Sequence, residues 1–124
     1  MDVTHASDNP GYPDDWAADI ALGEGPVVSR GTANHPHLVQ AVREAAAEEG
    51  HPVQLQATGK QTGTDADAFY TQNGGIPTLN LGIPNRYMHT PAEVVDTDDL
   101  ETAAAVLAAM ADREDDREYF GVTL

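Results

Sequence analysis

The sequence predicts an α/β fold in which helices and a largely parallel sheet form a three-layer sandwich. Short β-branched or apolar runs alternate with helical patterns in the order strand, strand, helix, strand, helix, strand, helix. The 124 residues suit one small domain or part of a larger one, and we treat 1–124 as a single unit. Because the chain has no cysteine, disulfides and thiolate metal sites are excluded.

The first half of the chain predicts two strands and a helix. A strand is expected in the opening MDVTHA, and the turn-rich SDNPGYPDDW follows it. Residues 27–29 form a short β-branched strand between glycines. The next segment reads as a helix capped by Asn34 or His35, with Pro36 in its first turn and Gly50 at its end. Its apolar stripe consists of Leu38, Val39, Val42, Ala45 and Ala46.

The second half predicts two more strands and two helices. PVQLQAT alternates with period two, which indicates a strand with one solvated face. GKQTGTDADAFYTQNGG predicts a loop and then a helix capped by Thr62 or Thr64. IPTLNLGIP predicts a short apolar strand. The last helix starts at a cap, Asp96 or Thr97, and its predicted apolar face comprises Leu100, Ala103, Ala104, Leu107 and Met110.

The composition is strongly acidic, with a formal net charge of −15. Such a surface repels phosphate backbones, so we expect no nucleic-acid partner. No apolar run approaches the roughly 18 residues that span a bilayer, so we expect no membrane partner and a cytoplasmic location. Dispersed acids with a single lysine favour a protein from a high-salt cytoplasm, with an acidic nucleic-acid mimic as the alternative.

Histidines are the candidate metal ligands. His35 and His37 flank Pro36 at a helix start, where capping explains them, and His51 lies in a turn. His5 is ambiguous, and His89 follows an apolar strand in the polar stretch PNRYMHTPA, which suits a ligand. The sequence contains no HExxH zinc-binding motif. Neither serine lies in a GxSxG motif, so no serine nucleophile is indicated. Residue spacing alone therefore indicates only a candidate metal ligand at His89.

Four stretches together resemble a known family. DVTHASDNPG, GEGPVVSRG with HPHL, TGTDADAFYTQNGGIPT, and IPNRYMHTPAEVV are similar, in this order, to the carboxyl-terminal part of the tetrahedral (TET) aminopeptidases, which include glutamyl aminopeptidases. The resemblance implies part of a zinc-exopeptidase-type catalytic domain that acts on peptides. It implies two divalent ions, zinc or cobalt, with Asp2 a ligand of one and His89 a ligand of the other. It also implies that Thr64, Asp65 and, more remotely, Arg86 border the substrate site.

The sequence also departs from that family. A His-x-Asp ligand motif, a bridging Asp and a Glu-Glu pair with the general base have no counterpart here, and the inserted β-domain is missing. We therefore expect no catalytic residue in this chain, doubtful metal occupancy, and a piece of an enzyme that is inactive alone. Bared sheet edges predict a homo-oligomer, or pairing with a missing amino-terminal half. The alternative is a non-catalytic remnant that binds a partner subunit.

Overall fold

The computed structural model describes residues 1–12 and 19–113. Part of the predicted turn-rich stretch lies outside the described residues, as do several acidic residues between 114 and 118. Every predicted strand and helix is present. Their bounds are β1 (Asp2–His5), β2 (Val27–Arg30), α1 (Pro36–Glu48), β3 (Gln54–Ala57), α2 (Ala66–Phe69), β4 (Leu81–Asn85) and α3 (Thr97–Ala111).

The four strands form one open sheet in the order β1-β4-β2-β3. β1 runs parallel to β4 and β2 runs parallel to β3, whereas β2 and β4 are antiparallel. Two of the three pairings are therefore parallel, which confirms the predicted α/β class with a largely parallel sheet. The antiparallel seam was not predicted. Because of this antiparallel pairing, the carboxyl-terminal ends of β3 and β4 lie at opposite ends of the sheet.

The hydrophobic core lies between the sheet and the two long helices. α1 and α3 contact each other, and they pack on β2 and β4 respectively. The cluster of buried side chains consists of Val28, Val42, Ala46, Leu81, Ile83, Ala103 and Val106. This arrangement confirms most of the stripe predicted on α1. The described residues thus supply two layers, the sheet and one layer of long helices.

The buried face of α3 differs from the predicted one. Leu100 and Leu107 are each 42% exposed, whereas Val106 is fully buried and Asp99 is 1% exposed. The cause is a pair of hydrogen bonds to the buried Asp99 carboxylate: Oδ1 accepts from Gly25 N at 2.8 Å, and Oδ2 accepts from Gly23 N at 2.9 Å. These bonds turn the side of the helix that bears Asp99 inward. The predicted apolar face was therefore wrong at its two leucines and at Ala104, which is also exposed.

The helix starts follow the predicted capping chemistry in part. Asp96 caps α3, because its Oδ1 accepts from Asp98 N at 2.9 Å. His35 occupies the N-cap of α1 without a side-chain bond, and Pro36 follows it. α2 is only four residues long, and Asp65 is at its N-cap. A short 3₁₀ helix, Gln72–Gly74, follows it, so the chain bends where a longer helix was expected.

The sheet is strongly curved toward the face that lacks the long helices. Thr4 Oγ1 in β1 donates to Gln56 Oε1 in β3 at 2.9 Å, although two strands lie between them. Three strand spacings of a flat sheet would separate the two backbones by about 14 Å, too far for these side chains to meet. Gly82 in β4 leaves room for the contact, since a Cβ there would lie 3.0 Å from the Thr4 side chain. The concave face of the sheet therefore forms a trough.

Among residues 1–12 and 19–113, no helix has the length and apolar character needed to cross a membrane.

Candidate functional site

The trough holds a cavity of about 680 Å³. The concave face of the sheet forms its floor. Its walls come from β1, from the loop after β3 and from the turn after β4. Its lining consists of Asp2, Val3, Thr4, His5, Tyr12, Ser29, Gln56, Ala57, Thr58, Gly59, Gln61, Thr62, Gly63, Thr64, Asn80, Met88 and His89. This volume lies within the range usual for small-molecule sites.

Both residues predicted as metal ligands lie in this cavity. Asp2 opens β1 and is exposed, and its Oδ1 accepts from Val3 N at 2.8 Å. His89 is also exposed, and its ring packs edge-on to the ring of His5 with centroids 6.3 Å apart. The fold thus brings into one cavity two side chains from opposite ends of the described chain. The role of each as a ligand stays a prediction.

The turn that carries His89 is held by a carboxylate that the sequence reasoning missed. Glu93 Oε1 accepts from His89 N at 2.6 Å, and its Oε2 accepts from Asn85 Nδ2 at 2.8 Å. The bonds from Asn85 and from the His89 N–H lower the pKa of Glu93 below its usual value. His89 itself has a positive φ of 67°, a conformation that non-glycine residues adopt at a cost of about 1–2 kcal/mol. Glu93 therefore stabilises a strained backbone next to the cavity.

Arg86 lies outside the lining of the cavity, in an ion pair with Asp8. Its Nε donates to Asp8 Oδ1 at 2.8 Å, and its Nη2 donates to Asp8 Oδ2 at 2.6 Å. Leu22 N also donates to this carboxylate at 3.0 Å. The Arg86 bond lowers the pKa of Asp8. The pair ties the segment after β1 to the end of β4, and contact between Arg86 and a substrate stays a prediction.

Thr64 lines the cavity, and Asp65 lines an adjoining one of about 230 Å³ that also includes Asp2. Both belong to a loop organised by Asp67, whose carboxylate accepts from the N–H groups of Thr62 and Gly63 at 2.9 to 3.0 Å. These bonds lower the pKa of Asp67, with the Thr62 N–H as the largest cause. The Thr62 and Thr64 hydroxyls lie 2.8 Å apart. The loop thus presents a fixed polar edge to the cavity.

The floor of the cavity contains two polar residues that the sequence did not single out. Ser29 is 1% exposed, and its Oγ has no hydrogen-bond partner among the described residues. Asn80 is 6% exposed and lies beside it, since Ser29 N donates to Asn80 O at 3.1 Å. The alternation of side chains along β2 could have pointed to Ser29, because it places Ser29 on the opposite face of the sheet from the core residue Val28.

The donors present do not make up a complete metal site. Within residues 1–12 and 19–113, no three His, Asp or Glu side chains come together as a group that could hold an ion. A catalytic zinc normally takes about three protein ligands. One carboxylate and two imidazoles line the cavity, those of Asp2, His5 and His89, and they suit a divalent ion chemically. The described residues do not bring these three side chains together as one ligand group.

Comparison with known proteins identifies the family. The family model of the M42 glutamyl aminopeptidases matches residues 1–106. The chain belongs to the M42 family. It is 34% identical over 111 residues to the lysyl aminopeptidase of Pyrococcus furiosus, a match that covers 89% of the chain and 31% of that protein. Members of this family are metallopeptidases, so divalent ions are implied for the family.

Solved structures agree with this assignment. A TET aminopeptidase from the marine sediment archaeon Thaumarchaeota archaeon SCGC AB-539-E09 superposes with a TM-score of 0.81 at 27% identity, covering 95% of the chain and 33% of that structure. An aminopeptidase from the archaeon Desulfurococcus kamchatkensis has a TM-score of 0.78 at 32% identity, covering 98% of the chain and 36% of that structure.

One relative is described by its assembly. The TET1 peptidase of Pyrococcus horikoshii, described as assembling into a tetrahedron or a large octahedral shell, has a TM-score of 0.65 at 32% identity, and the match covers 77% of the chain and 28% of that structure. The M42 chain spans about a third of the length of the relatives it matches.

Proposed function

We propose that this M42 chain forms one wall of the active site of a metal-dependent aminopeptidase, which removes amino-terminal residues from peptides. The observation that carries the proposal is the meeting of Asp2 and His89 in one cavity, within a fold shared with aminopeptidases. In this proposal each residue is a ligand of a different divalent ion, zinc or cobalt. Such ions would supply Lewis-acid chemistry when bound.

The substrate would lie along the polar loop after β3. Thr64 lines the cavity directly, and Asp65 borders the adjoining one, so both are placed to contact a peptide. Arg86 would act at a distance, by holding Asp8 in the segment that leads from β1 to Tyr12, which lines the cavity. Among the described residues that line the cavity there is no arginine or lysine, which disfavours a peptide whose first side chain is acidic.

We further propose that the isolated chain is inactive and acts in the cytoplasm only with additional protein. The described residues provide no three-ligand group, and no acidic residue other than Asp2 lines the cavity to act as a general base. The test is hydrolysis of aminoacyl-p-nitroanilides by the purified 124-residue chain with added zinc or cobalt. Turnover that disappears on chelation would overturn this proposal. Absence of turnover, together with weak metal binding that Asp2→Asn and His89→Gln each reduce, would support it.

A second candidate function, a non-catalytic module that binds a partner subunit, is favoured by the edge of the sheet. Within the described residues β1 pairs only with β4, and Met1 and Val3 are 72% and 39% exposed. An exposed edge strand invites pairing with another chain. The partner would be a second copy or a longer M42 subunit. Light scattering of the chain alone and with a full-length relative tests this, and a monomer under both conditions would rule it out.

A further inference from the structure

A second cavity, of about 400 Å³, lies on the other face of the sheet, beside the edge strand β3. Its lining consists of Arg30, Gly31, Thr32, Asn34, Pro36, Val39, Arg43 and Leu55. Ser29 and Gln56 line the first cavity, and strand side chains alternate between faces, so Arg30 and Leu55 point away from it. The two cavities are therefore separate sites.

The arginines in this cavity stand out in a chain of charge −15. Four arginines lie in the described part of the chain. Two of them pair with carboxylates, Arg86 with Asp8 and Arg113 with Glu48. Arg30 and Arg43 have no carboxylate within 4.0 Å among the described residues, and both line the same cavity. Within residues 1–12 and 19–113, two guanidinium groups at one place without a carboxylate partner indicate a site for an anion from outside the chain.

The remaining walls are partly apolar. Leu55 is 37% exposed, and Val39 lies opposite it on α1. The first turn of α1 carries no acidic side chain, so nothing there competes for the positive charge of the arginines. Guanidinium groups bind carboxylates and phosphates through paired, charge-assisted hydrogen bonds. An inorganic phosphate would leave the apolar wall uncovered, whereas an aliphatic carboxylate would cover it.

We propose that this cavity binds a small aliphatic carboxylate. Its carboxylate is held by Arg30 and Arg43, and its hydrocarbon part packs on Val39 and Leu55. The volume of about 400 Å³ is at the small end of ligand pockets, which suits a molecule of amino-acid size.

The test is titration of the full chain with 4-methylpentanoate at constant ionic strength, followed by NMR and calorimetry. For so small a ligand we expect saturable binding with a Kd of about a millimolar. Arg30→Gln and Arg43→Gln should each weaken binding by about tenfold or more, because each removes a charge-assisted bond. Leu55→Gln should weaken binding of 4-methylpentanoate but leave acetate binding unchanged.

The matched control is Arg113→Gln, which removes one positive charge at the far end of α1, where Arg113 pairs with Glu48. It should leave binding unchanged. Equal weakening in all three arginine variants would show non-specific attraction and overturn the proposal. Equally tight binding of uncharged 4-methylpentanamide, tighter binding of inorganic phosphate, or no saturation at about fifty times the expected Kd would do the same. Circular dichroism of each variant checks that the fold is intact.

Discussion

Glu93 fixes the backbone of His89: its carboxylate accepts the His89 N–H at 2.6 Å and, through its other oxygen, the amide of Asn85 at 2.8 Å. Asn85 is the last residue of β4 and is 2% exposed. The exposed turn is thereby anchored to the buried strand.

The first prediction is that Glu93→Gln loosens this turn. The two donors bond to different carboxylate oxygens, and the glutamine amide replaces one of those oxygens with a donor NH₂, so one donor loses its acceptor. We expect the backbone amide of His89 to exchange with deuterium several-fold faster, while β4 stays protected. Glu101→Gln is the matched control, because Glu101 is an exposed carboxylate on α3. Unchanged exchange at His89 in the Glu93 variant would contradict the anchoring role.

The second prediction concerns the buried carboxylate of Asp99. Asp99→Ala leaves the N–H groups of Gly23 and Gly25 without acceptors, and an unsatisfied buried polar group costs about 1–3 kcal/mol. We expect the free energy of unfolding to fall by about 1–3 kcal/mol, because Gly25 is buried, whereas Gly23 is exposed and its N–H can bind water. Chemical denaturation measures it. Asp98→Ala, one residue earlier and exposed, should cost less than about 1 kcal/mol.

The third prediction tests the orientation of α3. Val106 is fully buried in the core, whereas Leu107 is 42% exposed. Val106→Ala should lower the free energy of unfolding by about 1–3 kcal/mol, because it leaves a cavity. Leu107→Ala removes a larger side chain but should cost under about 1 kcal/mol. Urea denaturation of both variants compares them, and a larger loss for Leu107 would restore the face predicted from the sequence.

The fourth prediction is a loss of stability in acid. The pKa values of Asp8, Asp67 and Glu93 are lowered in the folded chain by hydrogen bonds and, for Asp8, chiefly by Arg86. A carboxylate with a lower pKa in the folded state stabilises that state above its unfolded pKa of about 4. This stabilisation disappears as the pH falls through the lower, folded value.

The measurement is the urea midpoint between pH 6 and pH 2. It should fall steadily below about pH 4 in the original chain. Arg86→Gln removes the main cause of the Asp8 shift, so its midpoint should fall less steeply over the same range. Parallel curves for the two proteins would show that the ion pair does not contribute. The effect should also shrink at high salt, since the pair is partly exposed.

The fifth prediction is that salt stabilises the fold. A net charge of −15 on a small domain repels itself, and raising the ionic strength from 0.1 M to 1 M shortens the screening length from about 10 Å to about 3 Å. We expect the Tm to rise by several degrees between 0.1 and 2 M KCl. Sucrose at matched osmolality is the control, because it does not screen charge. A Tm that is flat or falling in KCl would count against a high-salt origin.

Local patterns predicted the elements well, because their causes are local. Each of the useful patterns concerns a single helix or strand. Pro36 marks the start of α1, Asp96 caps α3, and the polar-apolar alternation around Gln56 marks β3. Sheet order was beyond such patterns, since nothing near Val28 or Leu81 specifies that their strands run antiparallel. The face of α3 was also misjudged for a physical reason. Its alanine-rich sequence allows two apolar faces, and the hydrogen bonds that Asp99 accepts from the distant Gly23 and Gly25 select between them.

The site was predicted unevenly for the same reason. The motifs around Asp2, Thr64 and His89 led to residues that do share a cavity. Glu93 was missed although it lies four residues after His89, because an acidic residue in a loop is usually solvated. Ser29 was considered only as a nucleophile, whereas its burial at the cavity floor depends on which way β2 faces.

The antiparallel seam between β2 and β4 has one more consequence. In a fully parallel sheet the loops that build a site leave from one end, so a single lid opens or closes it. Here the loop with Thr64 and the turn with His89 start from opposite ends of the sheet and meet over its middle. The distance between the Thr64 loop and the His89 turn therefore depends on the curvature of the sheet. If the sheet is rigid, the width of the cavity is fixed.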